Sequence, residues 1–456
     1  MRTAALFVPS LVTASLALCP AADVREKAPG PDADGKVYAW RSSDGLEYHY
    51  FIPRSYDAEK GAALTLILHG SNLSKGWGFA NHPAGKFRPD DIVVCPDGTA
   101  SNGRGGFNFL GRDKDIDRLE ALQNELGEAL KINATYLYGH SQGSFFALHY
   151  AGAKPELVDG VLAQASGSWA ASKRPRAGRG QVIVLMHGTQ DPVVSYGQSV
   201  GALETYQDAG YKNVRLKSLE GWNHWPAEQG GPVPHTSRQL SWIEGMTTDD
   251  PNRVGAAFRD LNDESDKEWR DFQALYTLSA RILTMPEVSS KASTRAKEVM
   301  ANIDSLAAKH IASMRSPDPG DVDAPDDSPW IGSLPMFLRA FKGVPAADKF
   351  SKQWERTLKR QREAAIEHFG DYRKALSAGD KAKAFQAGLE VLSEAFLTYG
   401  AADKRFHKNM ENWADDRSLE IPKDDLKAFK TLIKDHRDAI EDGAKSFWSE
   451  NRKARL

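Results

Sequence analysis

The chain of 456 residues is 41% hydrophobic and 26% charged, which excludes a disordered or fibrous protein and exceeds what one compact core ordinarily holds. Its 59 Lys and Arg nearly balance 61 Asp and Glu, so no overall field draws it to nucleic acid or an anionic membrane. Two cysteines, Cys19 and Cys95, exclude a disulfide framework.

Met1 and Arg2 are followed by an apolar run from Thr3 to Cys19 and by small residues at Ala21 and Ala22. These three regions read as an export signal over residues 1–22, too short and too interrupted for a spanning helix. The expectation is a periplasmic or secreted protein. Leu16-Ala17-Leu18-Cys19 also resembles a bacterial lipoprotein cleavage site, although that pattern wants a small residue where Leu18 stands.

From residue 36 to about 248 short β-branched runs alternate with helix-length stretches, the pattern of an α/β domain with a mostly parallel sheet covered on both faces. Val37–Arg41 and Glu47–Ile52, joined by the turn signal Ser-Ser-Asp-Gly, predict an antiparallel hairpin at the sheet edge. Further strands are predicted at Leu64–His69, Asp91–Cys95, Ala134–Tyr138, Gly160–Gln164, Val182–Met186 and Val214–Leu219. Cys95 ends an apolar run and reads as an inert buried residue.

Residues 250 to 456 show helical periodicity instead. Trp269, Phe272, Tyr276 and Leu283 share one helical face, as do Phe385, Leu389, Leu392, Phe396 and Tyr399. Between these stripes the Pro- and Asp-rich stretch 316–329 reads as a linker. Stripes resume at Trp354, Leu358, Ala365 and Phe369, and at Leu426, Phe429, Ile433, His436 and Ile440. A helical C-terminal domain is the expectation.

The strongest chemical signal is Gly139-His140-Ser141-Gln142-Gly143, set directly after an apolar strand and before a helix-like run. A strand, a sharp turn and a helix in that order lift a serine hydroxyl to the top of a sheet, and the glycines allow strand and helix to approach. A serine needs a base held by an acid. Asp191 follows the strand Val182–Met186, at the sheet edge where ligands gather, and His224 follows Val214–Leu219 between Trp222 and Trp225. The order Ser, Asp, His is that of α/β hydrolases. An oxyanion hole would take backbone N–H groups from Gln142, the residue after the nucleophile, and from the loop after Leu64–Leu68, where Ser71 is the first candidate and Asn72 the second. Asn72, His140, Trp222 and Trp225 are the candidates for substrate contact.

Nothing predicts a metal or cofactor: no H-E-x-x-H, no cysteine pair, and histidines scattered along the chain. Gly103-Arg-Gly-Gly106 lacks the preceding strand and spacing of a phosphate-binding loop and reads as a loop at the active-site rim.

Residues 36 to 245 resemble exported bacterial esterases related to polyhydroxybutyrate depolymerases, feruloyl esterases and acetylxylan esterases. The resemblance rests on His69-Gly70, Val93-Val-Cys-Pro-Asp-Gly-Thr99, Tyr138-Gly-His-Ser-Gln-Gly143, His187-Gly-Thr-Gln-Asp191-Pro-Val-Val194 and Gly221-Trp-Asn-His224-Trp-Pro226. It implies an α/β-hydrolase fold and Ser141, Asp191 and His224 as a triad. This chain departs from polymer-degrading relatives in lacking cysteine pairs and a carbohydrate-binding β module. The leading expectation is a serine esterase acting on a small or polymer-linked ester. Two alternatives stay open: a peptidase or acyltransferase on the same triad, or a non-catalytic binding protein whose helical region docks a protein partner.

Overall fold

The computed structural model describes residues 24–167, 180–219, 221–225, 233–262, 270–313, 330–394, 404–416 and 418–434. The expected export segment 1–22, the stretch 316–329, Trp269, Phe396, Tyr399, His436 and Ile440 lie outside these, as do the side chains of Trp354, Leu358 and Ala365.

An eight-stranded sheet forms the centre. Its strands are β1 (Val37–Arg41), β2 (Glu47–Phe51), β3 (Ala62–Leu68), β4 (Ile92–Pro96), β7 (Ile132–His140), β8 (Gly160–Gln164), β9 (Val182–Gly188) and β10 (Val214–Leu219). Their spatial order is β1-β2-β4-β3-β7-β8-β9-β10. The first two strands form the expected edge hairpin, β2 pairs antiparallel with β4, and every later pairing is parallel. Every predicted strand is present within one or two residues of its expected ends, and β3, β4, β8 and β9 are apolar runs buried on both faces. Two short strands were not foreseen: β5 (Ala100–Ser101) and β6 (Phe107–Asn108) pair antiparallel. Gly103 to Gly106 is therefore the turn of a hairpin, with Gly103 and Gly105 at positive φ, where glycine alone is unstrained.

Successive strand residues feed two cores, as the period of two requires. Leu64, Leu66, Leu68, Ile92, Val94, Leu137, Val161, Ile183 and Leu185 meet helices α2 (Asp113–Ala129), α3 (Gln142–Ala153) and α4 (Tyr196–Asp208) on one face. Ile67, Val93, Cys95, Tyr136, Tyr138, Leu162, Val184 and Met186 meet α1 (Lys75–Asn81) and α5 (Val233–Thr247) on the other. Cys95 is buried among them, and burial pushes its thiol well above the ordinary range.

The second core does not end at α5. It continues without a break into α6 (Pro251–Leu261), α7 (Phe272–Thr284), α8 (Ser290–Ser313), α9 (Trp330–Ala340) and the start of α10 (Pro345–Ser377). Helix α5 is apolar on two sides: Ile243 lies against Gly160 of the sheet, while Gly245 leaves room for Leu278 and Ala257 of the following helices. The buried stripe of α7 is Phe272, Leu275, Leu278 and Ile282, so Leu283, expected inside, is 37% exposed. An i, i+3 pattern begun at Trp269 runs off the packed face because α7 starts only at Phe272. A separate cluster joins the end of α10 with α11 (Lys381–Glu394), α12 (Lys404–Asp415) and the helical stretch 423–434 through Tyr372, Phe385, Leu392, Met410, Phe429 and Ile433. No helix among the described residues is long and apolar enough to cross a membrane.

Polar ties cross from sheet to helices. Arg215 of β10 donates Nη1 to Asp271 Oδ2 at 2.7 Å and Nη2 to Gln239 of α5, and its guanidinium lies 4.2 Å from the Trp242 ring centre. Asp271 caps α7 through the Ala274 N–H at 3.0 Å. Burial opposes the Asp271 charge, but Arg215 and Lys217 outweigh it and hold the carboxyl well below its usual range. Its contribution to stability is thus complete above the ordinary carboxylate pKa and is lost as pH falls through the lower folded value. Asp271→Ala is expected to cost about 3–5 kcal/mol at neutral pH by leaving a buried guanidinium uncompensated. In urea unfolding of the two proteins, that difference should shrink as pH drops below about 4.

Candidate active site

Ser141 stands between the last residue of β7 and the first of α3, at φ 53° and ψ −123°. This is a conformation a side-chain-bearing residue adopts only when its surroundings enforce it. The enforcement is close packing. A β-carbon on Gly139 would lie 2.5 Å from Ser144 Cα, and one on Gly143 would collide with the Leu68 and His69 carbonyls. Strand β3 and helix α3 therefore meet at backbone distance. The Ser141 N–H donates to Gln164 O at 2.9 Å, fixing the turn to β8.

Asp191 and His224 occupy loops beyond the C-terminal ends of β9 and β10. His224 Nδ1 donates to Asp191 Oδ2 at 2.7 Å, leaving Nε2 as the nitrogen for proton exchange. Asp191 Oδ1 accepts from the N–H groups of Val193 at 2.8 Å and Val194 at 2.9 Å. Burial raises the cost of its charge, yet the hydrogen bonds from His187 and His224 win and hold the carboxyl far below its ordinary range. No hydrogen bond among the described residues joins Ser141 Oγ to His224. Such contacts are often long until substrate binds. His140, the residue before Ser141, has its ring centre 5.0 Å from that of His224.

The two predicted oxyanion donors differ in what surrounds them. Gln142 opens α3, so its N–H has no intrahelical acceptor, and its side chain accepts from Phe109 N at 3.0 Å. Gly70 packs against Ser141, a β-carbon there being 3.3 Å from Ser141 Cβ. The following residue, Ser71, has a backbone N–H with no acceptor among the described residues. Asn72, the second candidate, is spent: its N–H donates to Phe107 O at 3.0 Å, and its Oδ1 accepts from Asn102 and Asn108. It also stands at φ 60°. Asn72 thus braces the β5–β6 hairpin, which removes its N–H as an oxyanion donor while its side chain stays exposed.

His140 and Trp222 are corrected too. His140 has 0% exposure, and Trp222 has 6% and packs edge-on against His235 at 5.0 Å. His140 is closed off from any substrate, and Trp222 turns its ring into the core. Trp225 is half-buried, edge-on to His224 at 5.0 Å, and remains at the site. His69 is a buried structural imidazole, accepting from Gly98 N at 3.1 Å and held neutral by burial, which lowers its pKa.

Two participants escaped the sequence reading. His187 lies 3.2 Å from Asp191 Oδ2 through Nε2, and its ring is held by Ser199 Oγ at 2.7 Å and Val194 O at 3.0 Å. Its position at a strand end, four residues before Asp191, was a usable signal. Trp77, stacked on His140 at 5.2 Å and 23°, had none. Among the described residues no cluster of three or more His, Cys, Asp or Glu could hold a metal ion.

A profile of the phospholipase/carboxylesterase family of α/β hydrolases matches residues 113–230. The chain is 28% identical over 195 residues to the esterase YpfH of Escherichia coli strain K12, covering 39% of this chain and 82% of that one. It is 27% identical over 146 residues to a 1-acylglycerol-3-phosphate O-acyltransferase of Arabidopsis thaliana, but covers only 34% of it. Among solved structures, the ferulic acid esterase of the anaerobic fungus Anaeromyces mucronatus aligns with 46% of this chain and 95% of its own at 20% identity and a TM-score of 0.36. With its mostly parallel sheet and its serine at the turn into α3, this chain has an α/β-hydrolase fold and is similar, over residues 113–230, to the phospholipase/carboxylesterase family.

Proposed function

We propose that the protein is a serine esterase whose Ser141, His224 and Asp191 hydrolyse a carboxylic ester through an acyl-enzyme. His224 Nε2 takes the proton of Ser141 Oγ as that oxygen attacks the ester carbonyl. The Gln142 and Ser71 N–H groups receive the developing oxyanion. His224 then gives the proton to the departing alcohol, and water, activated by the same nitrogen, releases the acid. Asp191 keeps His224 in the tautomer with the proton on Nδ1 and offsets the charge of the imidazolium. The observation that carries this reading is the 2.7 Å bond from His224 Nδ1 to Asp191 Oδ2 beside a serine at positive φ. A scaffold without chemistry has no use for either.

The rim suggests an ester with an apolar part. Leu110 and Val193, 37% and 51% exposed, directly follow Phe109, which is held by Gln142, and Pro192, which is flanked by Asp191. With Trp225 they are apolar side chains, exposed or half-buried, in the loops that carry Asp191, His224 and the Phe109–Gln142 contact. The signal-like sequence of residues 1–22 supports reading the esterase as an exported one.

Hydrolysis of short p-nitrophenyl esters, measured beside Ser141→Ala, tests the reading. The variant is expected to lose roughly 10⁴-fold or more in kcat, and Asp191→Asn roughly 10⁴-fold, with folding unchanged. Equal turnover by the wild type and the Ser141 variant would contradict it.

A further inference from the structure

Nucleophile and base sit on different elements, 83 residues apart, and their spacing must hold to a fraction of an ångström for proton transfer. One side chain spans that gap. His140, the residue before the nucleophile, has its Nε2 3.1 Å from the His224 carbonyl oxygen. A carbonyl only accepts, so Nε2 carries the proton and donates it. The ring is clamped by Trp77 at 5.2 Å, Trp225 at 5.3 Å and His224 at 5.0 Å, and no part of it reaches solvent. Its Nδ1 faces Gly70, whose missing β-carbon would come to 3.2 Å. Thus one imidazole touches the nucleophile's turn, the base's loop and the oxyanion loop together.

We propose that His140 is a positioning residue, whose Nε2–H bond to the His224 carbonyl sets the catalytic base against Ser141. This rests on the triad reading above. The titratable groups around it are His224, Asp191 and His82. Burial first, then the neighbouring His224, push the His140 imidazole down to about 3, so it stays neutral and adds no second positive charge when His224 takes the serine proton. A lysine or arginine could donate to the same carbonyl but would oppose that step.

The test compares two amides of unequal reach. Glutamine places its N–H where histidine has Nε2, whereas asparagine stops at the position of Nδ1. For p-nitrophenyl ester hydrolysis by the full chain, His140→Gln is expected to keep kcat within about fivefold of wild type. His140→Asn should lose on the order of 10²-fold in kcat with KM within about threefold, the mark of misplaced chemistry rather than lost binding. Near-UV circular dichroism checks that both fold, and if the Asn variant does not, His140→Phe takes its place with the same expectation. Wild-type kcat in the variant without the donor, or equal losses in both amides, would overturn the proposal. A wild type no faster than Ser141→Ala would instead overturn the triad reading beneath it.

Discussion

Everything at this site depends on one compressed turn. Between Gly139 and Gly143 the chain must leave the most central strands of a parallel sheet and enter a helix packed on that sheet's face, with no room for side chains where backbones touch. The positive φ of Ser141 is the consequence. It costs of order 1–3 kcal/mol in isolation, and is held because β3, β8 and α3 each fix one side of it. The same turn opens α3 and leaves the Gln142 N–H without a helical acceptor. The strain and the N–H left without a helical acceptor therefore share one cause.

The second constraint is that α5 is apolar on two sides. A helix lying on a sheet ordinarily needs one buried stripe. Here Leu240, Trp242 and Ile243 are all within 2% of complete burial, and only further helices can cover the outer face. Helices α6 to α9 and the start of α10 do so, and they are tied in by the Arg215–Asp271 pair and by Trp242 Nε1 donating to Thr277 at 3.0 Å. The cluster beyond Phe369 has its own core. The helical half thus has two parts with different relations to the catalytic sheet.

The positions of the strands were legible, and three catalytic candidates could be named, because each depends on a local pattern: an apolar run, a glycine-flanked serine, a polar residue just past a strand. What was not legible depends on geometry between distant segments. His140 looked like a substrate contact because nothing in the sequence says that Trp77 stacks on it. Trp222 and Trp225 read alike as flanking aromatics, yet one turns into the core and the other stays beside His224. Asn72 was a plausible oxyanion donor until the hairpin β5–β6, too short for a pattern of alternation, took its N–H. Leu283 was placed inside by a helical period extrapolated one turn too far back.

Ser141 is the assignment on which the rest of the chemistry stands, and covalent capture tests it without any knowledge of the natural ester. The full chain, treated with a fluorophosphonate at neutral pH and digested for peptide mass mapping, should carry one phosphonyl group, on the peptide containing Ser141. Capture should slow by orders of magnitude in His224→Ala, because the hydroxyl then lacks its base. Modification at another serine, or equal rates with and without His224, would contradict the account.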